Sequence, residues 1–112
     1  MRVTSELYVS ALVRRIFSSG GFGAIERKGA AEAGAIFIRQ RFRDGLETLF
    51  GPAPQSFFDE DDTDRRFEIR AERSEAAACD AIIEREARFD PDLWVVEIEV
   101  DDAGGLFPVA ET

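Results

Sequence analysis

The amino-acid sequence predicts a single α+β domain over residues 1–112, with two helices packed on one face of a twisted, mostly antiparallel sheet of about five strands. Three observations lead to this fold class. Two segments have the apolar face of a buried helix, several others alternate between apolar and charged residues as strands do, and no linker or internal repeat divides the chain. A chain of 112 residues is long enough to bury one hydrophobic core.

The first helix is predicted over residues 4–21. Thr4 or Ser5 can cap its N-terminus, and Gly20–Gly21 can end it. Apolar side chains cover most of its surface, and one narrow polar stripe interrupts them, formed by Glu6, Ser10 and Arg14. Because so wide an apolar surface needs contacts on more than one side, either the domain wraps this helix or a second subunit covers it.

Five later segments have the composition or the alternation of strands. They are residues 22–29, 34–42, 46–50, 65–72 and 93–100. Asp44–Gly45 is a hairpin signal between the second and the third. Arg39 and Arg41 fall on one face of the second strand, with Ile36 and Ile38 on the other. The predicted sheet therefore has an apolar face under the helices and a charged face, where arginine and glutamate are expected to pair across strands.

The second helix is predicted from a cap at Ser74 to about Phe89, since Pro91 cannot continue it. The predicted order of elements is α-β-β-β-β-α-β. Two segments lie outside these elements. Residues 51–64 form an acidic loop that contains proline, and residues 101–112 form a turn and a tail.

The composition excludes several kinds of site. The chain has no histidine and one cysteine, Cys79, so internal disulfides, Cys/His zinc sites and Ser-His or Cys-His catalysis lack their residues. The net charge of −9 disfavours nucleic acid as a partner. There is neither a signal-peptide pattern nor an apolar run of about 18 residues. We therefore expect a cytoplasmic protein with no membrane segment, metal or cofactor.

The most informative polar residue is Glu86, which falls inside the apolar arc of the second helix. A half-buried carboxylate has to be neutralised, hydrogen-bonded or paired with a cation, and Arg14, Arg15 or Arg88 could supply that cation. One interpretation is a structural ion pair. The other is a ligand-binding cleft. The residues lining such a cleft would be Arg14, Arg15, Glu86 and Trp94.

Phe57 and Phe58 stand beside an acidic run in the 51–64 loop. They either pack under the loop or offer an exposed apolar anchor to a protein partner. The acidic run itself, DEDDTD, lacks the residue spacing and the glycine of a calcium-binding loop. We therefore interpret the run as a solvated segment and not as a metal site.

Three segments together resemble a known family. They are ELYVSALVRR (6–15), GAIERKGAAEAGAIFIRQ (23–40) and EREARFDPDLWVVEIE (84–99). They resemble small, uncharacterised alphaproteobacterial proteins that are classed as a domain of unknown function. The Phe-Asp-Pro-Asp-Leu-Trp segment is the most specific of the shared features, and Tyr8 stands where the family more often has tryptophan. The resemblance implies a small, soluble, cytoplasmic protein, and it supplies no activity, cofactor or catalytic residue.

The leading functional hypothesis is a non-enzymatic protein-interaction or regulatory module, with a homodimer as one form. It rests on the wide apolar surface of the first helix, on Phe57 and Phe58, and on the lack of catalytic residues. The alternative is a small-ligand-binding protein or an enzyme that uses the Arg/Glu/Trp cleft. RNA binding through the arginine-bearing face of the sheet is a third hypothesis, and it predicts an affinity that falls steeply with salt.

Overall fold

The computed structural model describes residues 3–54 and 65–110, and it confirms the α+β class and the predicted order of elements. Two helices and five strands follow one another along the chain. Their bounds are α1 (Ser5–Ser18), β1 (Phe22–Arg27), β2 (Ile36–Arg41), β3 (Glu47–Pro52), β4 (Phe67–Ser74), α2 (Ala76–Phe89) and β5 (Trp94–Glu99).

The last strand of the chain, β5, lies inside the sheet, whose strand order is β1-β5-β2-β3-β4. It runs parallel to β2 and antiparallel to β1, while the β2–β3 and β3–β4 pairs are antiparallel. The sheet is therefore mixed but mostly antiparallel. Because β5 fills the space between β1 and β2, the first two strands are joined only through a strand from the other end of the chain.

The two helices lie on opposite faces of the sheet rather than together on one face, which corrects that detail of the predicted fold. Ile36 and Ile38 of β2 belong to the same apolar cluster as Leu12 of α1. Phe37, between them in sequence, points the other way and belongs to the cluster of Ile83 on α2. The two faces are called here the α1 face and the α2 face.

The reason for this arrangement is that the charged face of the predicted sheet also carries apolar residues. Phe37, Leu49 and Val95 are buried on the α2 face, beside Cys79 and Ile83 of the helix. Such a face has enough apolar surface to be covered by a helix. The alternation in the sequence marks the two faces correctly, but it does not show that both are covered.

Both ends of α1 follow the usual capping rules, whereas the N-terminus of α2 has no side-chain cap. The Thr4 side chain accepts a hydrogen bond from the backbone N–H of Leu7, and Ser19 is the C-cap of α1, followed by Gly20 in a left-handed conformation (φ +90°). The predicted cap of α2 at Ser74 is wrong, because Ser74 is the last residue of β4. The N-cap of α2 is Glu75, whose side chain makes no capping hydrogen bond.

Trp94 fixes the loop between β1 and β2. Its side chain is buried (1% exposed) on the α1 face, and its Nε1 donates a hydrogen bond to the carbonyl oxygen of Ala30 (2.8 Å). Its backbone N–H donates to Ala35 (2.7 Å), so the same residue holds the loop at two points. Gly34 lies so close to the Asp92 carbonyl that a Cβ at this position would overlap it.

Residues 106–110, which the sequence predicted as part of a tail, pack on the α1 face through ring contacts and backbone hydrogen bonds. Phe107 is buried and its ring contacts those of Phe50 and Phe67, with centroids 5.0 and 5.4 Å apart. The backbone of Phe67 exchanges hydrogen bonds with Pro108 and Ala110. This segment therefore covers the part of the α1 face that α1 itself does not reach.

Gly34→Ala is expected to lower the free energy of unfolding by about 3 kcal/mol, because its Cβ would collide with the rigid backbone at Asp92 and press on Trp94. Gly20→Ala is the control. Its Cβ would meet no atom, and only the left-handed backbone opposes it, at about 1 kcal/mol. Urea denaturation of the two variants measures the difference, and equal losses would contradict the close packing of this loop.

Candidate functional site

The most highly charged part of the interior is a network around Arg39 of β2, between the sheet and α2. Arg39 is 3% exposed. Its Nε donates to Glu47 (2.6 Å), its Nη1 to Glu26 (3.1 Å) and its Nη2 to Asp80 (2.6 Å). The Nη2 atom also donates to the carbonyl oxygen of Ala76 in the first turn of α2 (3.1 Å). One guanidinium thus connects β1, β2, β3 and α2.

Arg41 extends the network toward solvent. Its guanidinium lies 3.1 Å from Glu47 on β3 and 3.0 Å from Glu97 on β5, and a longer contact of 3.5 Å reaches Glu26. Glu26 and Glu47 are therefore shared between two arginines. These contacts confirm the expected pairing of arginine with glutamate across strands, although Arg39 is buried and not on an open charged surface as the sequence suggested.

The electrostatics of Arg39 depend on its partners. Burial by itself would lower its pKa, but the hydrogen bonds to Glu47 and Asp80 and the charge of Glu26 outweigh that effect, so the pKa is raised above its ordinary value. The guanidinium is therefore charged at every physiological pH. A permanently charged group in this position cannot act as an acid or a base.

Cys79 lies beside the network on α2 and is fully buried. Burial raises the pKa of its thiol above the ordinary value, and the negative charge of Glu47 raises it further. The thiol is therefore protonated and inaccessible, which is the opposite of what a nucleophilic cysteine needs.

The ion-pair network around Arg39 is best explained as a structural feature of the domain. Its cations and carboxylates satisfy one another, and over residues 3–54 and 65–110 no group of three or more Asp, Glu or Cys side chains converges as metal ligands would. It contains no nucleophile in a form that reacts. These contacts position α2 against the sheet and define no reaction.

The four residues of the predicted ligand cleft are not brought together. Glu86 lies on the α2 side of the sheet, where it pairs with Arg70 of β4 (3.4 Å). Trp94 is buried on the other face, and its indole N–H is engaged by Ala30. Arg14 and Arg15 are exposed on α1. Glu86 thus has an ion-pair partner that sequence reasoning did not consider, since β4 reaches α2 only in the folded sheet.

Arg15 does line a cavity, but with different neighbours from those expected. A cleft of about 610 Å³ lies between α1 and the C-terminal segment. It is lined by Tyr8, Arg15, Arg65 and residues 104–109. The seven-residue spacing of Tyr8 and Arg15 could have shown that they share one side of the helix. Nothing in the sequence indicates that Arg65 joins them.

A second cavity, of about 630 Å³, lies where β2 and β5 end. It is lined by side chains of both charges, among them Arg41, Arg43, Glu99, Asp101 and Asp102. The lining has three carboxylates against two arginines, and Arg41 is already engaged by three other carboxylates, so this cavity has no free positive charge in excess with which to bind an anion. Phe57, Phe58 and the acidic run of residues 59–64 lie outside the described residues.

The comparisons with known proteins agree with this fold. The family described as a protein of unknown function, DUF1491, matches residues 3–108, and the chain belongs to this family. The resemblance seen in the sequence is thereby confirmed. No curated protein matches the chain. No helix within the described residues is long and apolar enough to cross a membrane.

Solved structures of related proteins have the same fold. The chain is 56% identical to a protein from A. tumefaciens known from a solution structure, over 100% of this chain and 98% of that one, with a TM-score of 0.89. A DUF1491 family protein from Caulobacter crescentus is 35% identical. Its crystal structure gives a TM-score of 0.78 over 99% of this chain and 100% of that one, and its NMR structure gives 0.79 over 99% of each.

Arg39→Met is expected to lower the free energy of unfolding by about 3 kcal/mol, because the buried Glu47 then keeps only the more exposed Arg41 as a cation. The double variant Arg39→Met/Glu47→Met removes that uncompensated charge and should recover part of the loss. Arg43→Met, at an exposed position, is the control and should change stability little. Chemical denaturation of the natural protein and the three variants tests this, and a double variant no more stable than Arg39→Met would contradict it.

Ionisation of Cys79 is expected to lower the free energy of unfolding at alkaline pH. Because the folded thiol has a raised pKa, the unfolded chain releases this proton first, from about pH 8.5 upward, and the free energy of unfolding falls as pH rises above that value. We expect a smaller fall for Cys79→Ala than for the natural protein when denaturation at about pH 7 is compared with about pH 9.5. An identical fall in both proteins would contradict the raised pKa.

Proposed function

We propose that this chain is a non-enzymatic protein-interaction module that self-associates through the outer face of α1. The observation that carries the proposal is the exposure of large apolar side chains on that face. Leu7 is 62% exposed and Phe17 is 53% exposed, although α1 buries Val9, Leu12 and Ile16 completely against the sheet. The helix is thus apolar on two sides, and the domain covers one of them.

The outer residues follow the spacing by which helices pair. Leu7, Ser10, Arg14 and Phe17 are separated by three, four and three residues and form one stripe along the helix. All four are exposed. The small Ser10, one of the two inner residues of the stripe, allows a second helix to approach closely, and the apolar Leu7 and Phe17 lie at the two ends of the stripe.

The stripe is complementary to itself. If two copies of α1 pack antiparallel about a twofold axis at Ser10, Glu6 of one copy faces Arg14 of the second, and the same contact occurs twice by symmetry. Val3, which is 50% exposed just before the helix, then lies opposite Phe17 of the second copy. Opposite charges and apolar residues therefore meet their counterparts, which is the property that a homodimer interface requires.

The edge strand beside α1 supports contacts through side chains and not through strand pairing. Phe22 packs edge-on against Phe17 (centroids 5.7 Å apart) and, like Ile25, is exposed. However, β1 contains a bulge between Ile25 and Arg27. Bulges and charged residues are features by which edge strands avoid pairing with other chains. We therefore assign self-association to the helix.

Exchanging the charges tests this arrangement. Glu6→Arg and Arg14→Glu are each expected to weaken the dimer by roughly 2- to 30-fold, since each places like charges opposite one another at two symmetric contacts. The double variant Glu6→Arg/Arg14→Glu restores the opposite charges and should restore the affinity. Sedimentation equilibrium over a range of concentrations measures the dissociation constant. Glu6 and Arg14 are eight residues apart, so they do not pair within one helix.

Phe89→Ala is the matched control, because Phe89 is 83% exposed on α2, away from the proposed interface. It should leave the dissociation constant unchanged, whereas Leu7→Glu should abolish dimers. A natural protein that is monomeric at every soluble concentration would contradict the proposal. So would a double variant that dimerises as weakly as the single variants.

The cytoplasmic location and the lack of a nucleic-acid partner stay predictions, and so does the role of Phe57 and Phe58 as partner-binding residues.

A further inference from the structure

Residues 101–110, which we call the C-terminal strap, are attached to the domain at few points. Within residues 3–54 and 65–110, two hydrogen bonds join the strap to the rest of the domain, and the backbone of Phe67 makes both. The N–H of Phe67 donates to the carbonyl oxygen of Pro108 (3.0 Å). The N–H of Ala110 donates to the carbonyl oxygen of Phe67 (2.7 Å). The backbone contact thus depends on one position of β4.

One aromatic side chain anchors the strap. Phe107 is 5% exposed, and its ring packs edge-on against the rings of Phe50 and Phe67. Leu106 packs against the same cluster but is only partly buried, and Val109 is exposed. Removal of a single ring from its pocket would therefore release most of the apolar contact between the strap and the sheet.

The strap is bordered by open space. A cavity of about 610 Å³ separates it from α1, and one of about 630 Å³ lies between its first residues and the ends of β2 and β5. A third cavity, of about 410 Å³, lies between the strap and the residues of β3 and β4. Segments with few packing contacts and few hydrogen bonds open at a lower free energy than the core. We therefore expect the strap to open before the sheet unfolds.

Two glycines separate the anchor from β5. Gly104 and Gly105 directly precede Leu106, and Gly105 has a left-handed backbone (φ +84°). Glycine adopts many backbone conformations at little steric cost. The pair is therefore a suitable hinge, about which residues 106–110 can leave the sheet while β5 keeps its place.

The surface under the strap has the features of a peptide-binding site. It offers a pocket beside the rings of Phe50 and Phe67, and the backbone of Phe67 on the outer side of β4, which is an edge strand. Addition of a strand to a sheet edge, with a side chain in a pocket, is a recurring mode of peptide recognition. The register of β4 with β3 shifts between Ile69 and Ser74, so this edge is regular only near Phe67 and suits a short segment.

We propose that the C-terminal strap detaches as a unit while the sheet stays folded, and that the vacated site binds the strap of a second copy. The folded chain supplies the reason for this occupant, because the segment LFPVA (106–110) already fits the site within one molecule. Exchange of an identical element between two copies needs no new contact surface. It is independent of pairing through Leu7 and Phe17, because the strap borders the side of α1 that carries Tyr8.

Native-state amide hydrogen exchange of the natural protein, followed by NMR, tests the detachment. The amides of Phe67 and Ala110 are expected to be at least about 30-fold less protected than the amide of Glu68. Glu68 is the matched control, because successive amides of a strand point to opposite sides and Glu68 pairs with Gly51 of β3. Equal protection of Phe67 and Glu68 would overturn the proposal, since the strap would then open only together with β4 or with the whole domain.

A synthetic peptide of residues 103–110 with blocked ends stands in for the strap of a second copy. Titrated into the full-length natural protein, it is expected to shift the amides of Phe67 and Ile69 saturably. The same peptide with Phe107→Ala lacks the anchor and is expected not to bind. Equal binding of the two peptides would overturn the proposal, because the aromatic pocket would then play no part.

Phe107→Ala in the full-length protein is expected to bind the natural peptide at least about tenfold more tightly, because its own strap then competes less for the site. Phe89→Ala is the matched control. It removes the same ring from a position on α2 that is 83% exposed, and it should leave the affinity unchanged. Failure of the peptide to bind both the natural protein and a folded Phe107→Ala variant would overturn the proposal. The exchange experiment does not require this variant and decides the detachment even if Phe107→Ala does not fold.

Leu7→Glu separates this proposal from pairing through α1. The variant is expected to abolish dimers formed by the outer stripe and to bind the peptide as the natural protein does, because Leu7 is 62% exposed on another side of the helix. Loss of peptide binding in Leu7→Glu would contradict the independence of the two surfaces.

Discussion

Arg39 places a permanent positive charge inside the domain, and the arrangement on the α2 face depends on compensating it. The carboxylates that do so come from β1, β3 and α2, so each of these elements has to be in its place for the charge to be satisfied. An uncompensated buried charge is more costly than the loss of most apolar contacts. Strand order and helix position are therefore coupled through one side chain, which also gives the packing a specificity that nonpolar contacts between Phe37, Leu49 and Ile83 would not provide alone.

The opposite face is held together by different means. On the α1 face the contacts are apolar, with the buried Trp94 near the start of β5 and the rings of Phe50, Phe67 and Phe107 under the C-terminal segment. This face is shared between α1 and residues 106–110, and neither covers it alone. The cleft lined by Tyr8, Arg15 and Arg65 lies where the two meet. A cavity at the junction of two covering elements is a common place for a ligand, because the packing there is open without weakening the core.

α1 consequently has three sides with three roles. One side is buried against the sheet, the outer stripe of Leu7, Ser10, Arg14 and Phe17 is exposed, and the third side borders the cleft lined by Tyr8 and Arg15. The wide apolar surface read in the sequence is covered by the domain only in part, since Leu7 and Phe17 stay exposed on the outer side of α1. The predicted cleft failed for a physical reason. Its members were chosen by residue type, and Glu86 and Trp94 belong to elements that the sheet separates.

The sequence by itself determined the elements and their order, because helix periodicity, strand alternation and turn residues such as Gly20 and Pro91 act over a few neighbouring positions. The family followed from a resemblance carried by three segments of the chain. Only the tertiary structure decided the rest. The position of β5 inside the sheet and the placement of the helices on opposite faces depend on pairings between distant segments, which local patterns do not encode. For the same reason the sequence predicted Arg39 on an exposed charged face, whereas in the folded domain it is buried and paired with Glu26, Glu47 and Asp80. Arg65, fifty residues from Arg15 in sequence, joins it in one cleft only because the folded chain brings the residues just before β4 next to α1.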